Sequence, residues 1–209
     1  MTPERTEIEA KLVAPSAEEL LKLPEHLRAL GYLTTEPERV LALDHYLDTP
    51  DLDVFRAGWA LRLRDQGAKK FLTLKSLVPP VDGVAHREEY EEEVDWKGTA
   101  DWSFDDSTLE GRVKPLVGEK TLWLLFQLRQ ERMQFNVATE SALWIEASMD
   151  LIRWEGKDKS IEGFEAELEY QNGPEEELKA MALALQERTG WEIAQESKFE
   201  RGLSVAGLI

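Results

Sequence analysis

Polar and apolar residues alternate with a period of two in a series of stretches along the chain, the pattern of β-strands with one dry and one polar face. In the first, Glu7, Glu9 and Lys11 share one face and Ile8, Ala10 and Leu12 the other. Val40 to Asp48 sets Leu41, Leu43, His45 and Leu47 together and stops at the turn sequence Thr49-Pro50-Asp51. Trp59 to Asp65 places Arg62 and Arg64 opposite Leu61 and Leu63, and Phe71 to Leu77 places Thr73 and Lys75 opposite Leu72 and Leu74. After the break Val78-Pro79-Pro80-Val81-Asp82-Gly83, Ala85 to Val94 carries Arg87, Glu89, Glu91 and Glu93 against Tyr90 and Val94. The alternation lapses from Asp95 to about Phe126, with a short helix or turn over Leu109 to Val117. It then resumes with Arg132, Gln134 and Asn136, with Glu146, Ser148 and Asp150, and with Glu165, Glu167 and Glu169.

Two segments have a helical period instead. Ser16 is placed to cap a helix with Glu18 and Glu19 in its first turn and an apolar stripe of Leu20, Leu21, Leu23, Leu27 and Leu30, interrupted by Pro24 and ended by Gly31. Glu175 to Thr189 presents Leu178, Met181, Ala182 and Leu185 on one stripe and ends at Gly190. Both stripes need an apolar sheet face. Helices packed outside the sheet turn its charged faces inward, whereas an open sandwich exposes them to water. Acids and bases recur at one phase, which favours a β-barrel closed on itself with a polar lumen. The tail, Trp191 to Ile209, is assigned no element, and no repeat or linker marks a boundary, so a single domain over 1–209 is expected.

The 42% hydrophobic content of the 209 residues supports a globular core. Lys and Arg number 25 against 42 Asp and Glu, a formal charge of −17. Such a surface repels nucleic acid and anionic membrane, although cations gathered in one protected place can still hold a small polyanion. Cysteine is absent, which excludes disulfides, thiolate metal ligands and a thiol nucleophile. Met1-Thr2-Pro3-Glu4-Arg5 does not read as a secretory signal, and there is no apolar run of membrane-spanning length. A cytoplasmic protein with a small-molecule partner is expected, and its exposed apolar remainder is compatible with a homodimer.

The inward inventory suggests the chemistry. Glu7, Glu9, Glu165 and Glu167, with Asp150 as a further candidate, make a hard-oxygen set suited to magnesium or manganese. Arg62, Arg64, Lys75 and Arg132 suit a chain of phosphoryl groups, the arginines by bidentate contact and the lysine as a point charge. No glycine-rich phosphate loop, kinase signature or serine elbow is present, so side chains must hold the phosphates. Trp59, Trp123 and Trp144 read as packing residues, and His26, His45 and His86 carry no catalytic role.

The ordered set resembles the CYTH family, the triphosphate tunnel metalloenzymes. Glu7-Ile8-Glu9-Ala10-Lys11 is similar to its ExExK signature. His45-Tyr46-Leu47-Asp48-Thr49-Pro50, Ala60-Leu61-Arg62-Leu63-Arg64, Leu72-Thr73-Leu74-Lys75 and Arg87-Glu88-Glu89-Tyr90 follow in the family's order. Later come Arg132, the Glu146 to Asp150 strand, Glu165-Ala166-Glu167-Leu168-Glu169, and Ser197-Lys198 with Arg201-Gly202. The resemblance is nearest to the bacterial inorganic triphosphatases. It implies an α+β fold with an eight-stranded antiparallel tunnel, and Mg²⁺- or Mn²⁺-dependent hydrolysis of inorganic triphosphate to diphosphate and phosphate. Adenylate cyclase or thiamine triphosphatase activity of the same fold, and a non-catalytic polyphosphate- or nucleotide-binding module, are the alternatives.

By position, the resemblance implies metal ligation by Glu7, Glu9, Asp150, Glu165 and Glu167. It implies phosphate contacts from Lys11, Arg62, Arg64, Lys75, Arg87, Arg132, Lys198 and Arg201. Glu7, Glu9, Lys11, Arg62, Arg64 and Lys75 are the candidate catalytic residues. His45 stands where the family commonly has tyrosine. Whether Glu89, Glu91 or Glu169 joins the site stays open, and Arg132 is preferred to Arg129 because it begins an alternating strand.

Overall fold

The computed structural model describes residues 5–98, 102, 107–140, 142–156 and 159–209. Its elements follow in the order β1 (Arg5–Val13), α1 (Ala17–Leu20), α2 (Leu23–Ala29), β2 (Leu33–Thr34), β3 (Glu38–Asp48), α3 (Asp53–Arg56), β4 (Trp59–Asp65) and β5 (Lys70–Ser76). Then come β6 (Val84–Glu93), α4 (Glu110–Val117), β7 (Trp123–Ala138), β8 (Trp144–Glu155), β9 (Ser160–Asn172), α5 (Glu176–Thr189), β10 (Glu192–Ile193) and α6 (Lys198–Ala206).

Eight strands close on themselves. The order is β1, β6, β5, β4, β3, β7, β8 and β9, antiparallel throughout, and β9 returns to β1 with Lys11 opposite Glu167 and Glu9 opposite Glu169. Closure satisfies the edges that an open sheet would expose and commits one face of every strand to the lumen. The short strands β2 and β10 are additions on β7 and β1. The fold is the expected eight-stranded barrel with helices outside.

Burial on the outside sets which face turns inward. Ala10 and Leu12 of β1, Ile145 and Met149 of β8, and Ala166 and Leu168 of β9 pack against Leu20, Leu23 and Leu27 of α1 and α2 and Leu178 and Leu185 of α5. On the other flank, Leu61, Leu63, Leu72, Leu74 and Tyr90 lie under Val113 and Val117 of α4. Each fully buried leucine is worth about 1.5–3 kcal/mol, so a one-residue slip that exposed these rows is prohibitive. The charged rows therefore face the lumen.

Some expectations change. The first apolar stripe forms two short helices rather than one: Ser16 accepts from the Glu19 N–H at 3.2 Å to start α1, and Pro24 stands in the first turn of α2. The tail contains α6, opened by a reciprocal cap in which Ser197 Oγ accepts from the Glu200 N–H at 3.2 Å and Glu200 accepts from the Ser197 N–H at 2.8 Å. Phe199 and Leu203 of α6 join Tyr46, Phe126, Leu128 and Trp154 in a third apolar cluster. Gly202 is required there, since a Cβ would lie 2.1 Å from the Phe126 ring. Trp123 and Trp144 are 59% and 50% exposed, so neither is the packing residue expected, and Leu41 is likewise 59% exposed. Among the described residues no helix is long and apolar enough to cross a membrane.

Candidate active site

The lumen holds a cavity of about 200 Å³ whose walls carry both charge signs. β1 contributes Glu7 and Lys11, β4 Arg62 and Arg64, β5 Lys75, β6 Arg87, Glu89 and Glu91, β7 Arg132, and β9 Glu167 and Glu169. α6 adds Lys198. Every strand contribution follows from the parity that the outer packing imposes. Lys198 enters because Phe199 and Leu203 anchor its helix and the Trp154 indole N–H donates to the Lys198 carbonyl at 2.8 Å.

Three ion-pair clusters occupy the walls. In the first, Lys75 pairs with Glu7 and lies 3.7 Å from Glu89, while Arg87 donates to Glu9 at 2.5 Å. In the second, Arg64 holds Asp44 through Nε at 2.7 Å and Nη2 at 2.8 Å. Arg62 lies 3.7 Å from the same carboxylate and donates to Thr73 at 3.2 Å; Thr73 in turn donates to Glu91 at 2.9 Å. In the third, Arg132 grips Asp150 at 2.8 and 2.6 Å and also pairs with Glu167. Lys198 reaches Asp150 at 2.5 Å and Glu167 at 2.8 Å, and Lys11 reaches Glu167 at 2.8 Å. Asp44 and Asp150 are 0% exposed, so these charges persist only because each is met by an opposite one.

Burial works against the Lys11 ammonium, but Glu167, Glu9 and Glu165 outweigh it and hold its pKa well above the ordinary lysine range. Burial likewise opposes Asp44 ionisation, yet Arg64 and Arg62 bring its pKa down to about 2. Glu169 behaves in the opposite way. Burial and the neighbouring Glu7 push it up to about 7, and Arg5 only partly compensates.

A carboxyl whose folded pKa lies above its unfolded value stabilises the fold below about pH 4.5, and that contribution is lost as pH rises through about 7. Glu169→Gln should therefore stabilise the fold at pH 8, by on the order of 2–3 kcal/mol at most and read as a higher melting temperature, and leave stability unchanged at pH 4. An equal shift at both pH values would show that Glu169 is not crowded by charge.

The CYTH domain profile matches residues 5–203 of the chain. The protein belongs to the CYTH family. HpAC1 from Hippeastrum, an adenylyl cyclase candidate with a dominant triphosphatase activity, matches with a TM-score of 0.69 and 26% identity over 95% of each chain. An adenylate cyclase candidate from Bacillus halodurans superposes with a TM-score of 0.68 at 20% identity, covering 96% of this chain and 98% of its own. The PH1819 protein of Pyrococcus horikoshii OT3 superposes with a TM-score of 0.56 at 18% identity, covering 94% and 98%. The last two show the fold alone. A comparison with curated proteins gave no match.

Measured against the expectations for a CYTH protein, the structure brings together Glu7, Glu9, Lys11, Arg62, Arg64, Lys75, Arg87, Arg132, Asp150, Glu165, Glu167 and Lys198 in or against the lumen. It does not bring Arg201 there: that side chain is about half exposed, lies over the Trp154 ring at 5.8 Å and is 3.8 Å from Glu196. Glu89, Glu91 and Glu169 all line the cavity. Arg132 faces inward by phase within β7, which begins at Trp123, and Arg129 points outward to Glu155 at 2.9 Å. Asp44 was missed. Its signal is phase: it alternates with Leu43 and His45 and so shares the inward face of β3 with Tyr46.

CYTH triphosphate tunnel metalloenzymes depend in general on a divalent metal. The lumen donors fit a hard cation in kind, since they are carboxylate oxygens, and the crowding of Glu169 by Glu7 marks a place where positive charge is favoured. Among the described residues, no three carboxylate or imidazole groups are already arranged as a metal site. Lysine and arginine occupy the carboxylates instead.

Proposed function

We propose that the protein is a divalent-metal-dependent triphosphatase that cleaves inorganic triphosphate to diphosphate and phosphate. The observation that carries this reading is the convergence of Lys11, Arg62, Arg64, Lys75, Arg87, Arg132 and Lys198 on one cavity of about 200 Å³. A pocket below the roughly 300–1,000 Å³ of drug-sized sites suits a compact polyanion better than a nucleotide. The triphosphatase activity of HpAC1, a relative at 26% identity, supports the same reading.

Arg62, Arg64 and Arg132 would take phosphoryl oxygens through guanidinium donors, and Lys11, Lys75 and Lys198 would neutralise the chain as point charges. Their preorganised field favours charge developing on the transferred phosphoryl group. Tyr46 and Phe199, which line the cavity and pack with Phe126 in an apolar cluster, would restrict water there. Glu7, Glu9, Glu165, Glu167 and Asp150 would hold Mg²⁺ or Mn²⁺, released from lysine and arginine as these turn to phosphate. A bound cation supplies charge neutralisation across phosphate oxygens.

Phosphate release from tripolyphosphate with magnesium or manganese tests the reading. Turnover is expected for the natural sequence and not for Glu9→Gln; equal rates would sink it. Product analysis with ATP separates hydrolysis from cyclisation.

A further inference from the structure

Arg62 and Arg64 line the cavity, and Asp44 lies behind them, fully buried and not part of the cavity wall. Asp44 stands directly across the β3–β4 ladder from Arg64, so its short side chain meets that guanidinium without spanning the lumen. The contact is bidentate, through Nε and Nη2 at 2.7 and 2.8 Å. A guanidinium has five N–H donors in one plane, so fixing two of them fixes where the other three point. Arg62 is tethered from two sides, by Asp44 at 3.7 Å and by Thr73 at 3.2 Å. Its Nε is buried and meets no hydrogen-bond acceptor among the described residues. A buried donor without a partner is costly, so the Asp44 and Thr73 contacts hold the Arg62 guanidinium in this pose against that cost.

We propose that Asp44 is a positioning residue for anion recognition, holding the Arg62 and Arg64 guanidiniums so that their remaining donors face the cavity. The substrate used to test it, tripolyphosphate, rests on the function proposed above. The rival role is charge compensation alone, in which Asp44 only offsets the arginines. The two roles predict opposite signs for binding. Asp44→Asn leaves the lumen one positive charge richer, so compensation alone predicts tighter tripolyphosphate binding. Loss of positioning predicts weaker binding.

The experiment is a double-mutant cycle of Asp44→Asn with Arg64→Ala, read by metal-free calorimetry with tripolyphosphate and by phosphate release with magnesium. Positioning predicts weaker binding and a fall in kcat of about 10²-fold for Asp44→Asn alone. In the Arg64→Ala background the same change should cost less than about tenfold, because only Arg62 is then left for Asp44 to hold and Thr73 still tethers it. Tighter binding, or losses that multiply independently, would overturn the proposal. Absence of turnover in the natural sequence counts against the triphosphatase reading only, and the calorimetric cycle still decides the role of Asp44. Should Asp44→Asn not fold, Asp44→Glu decides. It keeps the charge and lengthens the arm by one methylene, so kcat should fall with the melting temperature held, and a natural kcat would overturn the proposal.

Discussion

Glu167→Gln should destabilise the unliganded protein by about 3–5 kcal/mol, the cost of removing one partner from a buried ion pair. Glu167 is the anion shared by Lys11 at 2.8 Å, Lys198 at 2.8 Å and Arg132. The amide keeps the shape and loses the charge, so three buried cations are left with Asp150, Glu165 and Glu9 alone. Burial opposes ionisation of Glu167, but Lys11, Lys198 and Arg132 outweigh it and place its pKa well below the ordinary carboxylate range. Its stabilising contribution is therefore complete above the unfolded carboxylate value, roughly pH 4.3, and fades as pH falls through the folded one. Thermal melts should show a large gap between the two proteins at pH 7 that narrows in acid. Tripolyphosphate should raise the melting temperature of the variant more than that of the natural protein, because the anion replaces the missing charge. A variant that melts like the natural protein at pH 7 would refute the shared network.

The second large effect falls on catalysis. Lys198→Met keeps the aliphatic stem and removes the ammonium that lies 2.5 Å from Asp150 and 2.8 Å from Glu167. Under the proposed function, kcat/KM for tripolyphosphate should drop about 10²–10³-fold, the loss typical of deleting one preorganised electrostatic group. Arg201, three residues on, is the built-in comparison. It points to Trp154 and Glu196 outside the lumen, so Arg201→Ala should change kcat/KM by no more than about twofold, as an exposed substitution does. Equal losses at the two positions would mean that the α6 N-terminus does not enter the site in this orientation.

Arg201 also marks where sequence reading stops. In the linear motif Ser197-Lys198 with Arg201-Gly202, both bases invite the same assignment, and only the helical turn of α6 separates one facing the lumen from one facing solvent. The motif's glycine has a packing use, the close approach to Phe126. Asp44 shows the complementary failure. Its inward phase was readable from Leu43 and His45, but its importance depends on Arg64, which lies 20 residues away and meets it only through strand pairing. The exposed Trp123 and Trp144 misled because an indole's size suggests burial, whereas exposure depends on which neighbours fold over it.

What the sequence determined by itself is local and periodic. The two-residue alternation assigned Glu7, Glu9, Lys11, Arg62, Arg64, Lys75, Arg132, Glu165 and Glu167 to one face of their strands, and the leucine stripes of α2 and α5 required an apolar surface to cover. Side-chain direction in a strand depends only on parity, so these assignments need no knowledge of the partner strands. Only the tertiary structure decided which opposite charges meet. Closure of β9 onto β1 places Lys11 across from Glu167, and the entry of α6 places Lys198 among Asp150, Glu165 and Glu167. Coulomb energy depends on distance and on exclusion of water, and both arise only when segments remote in the chain are brought together.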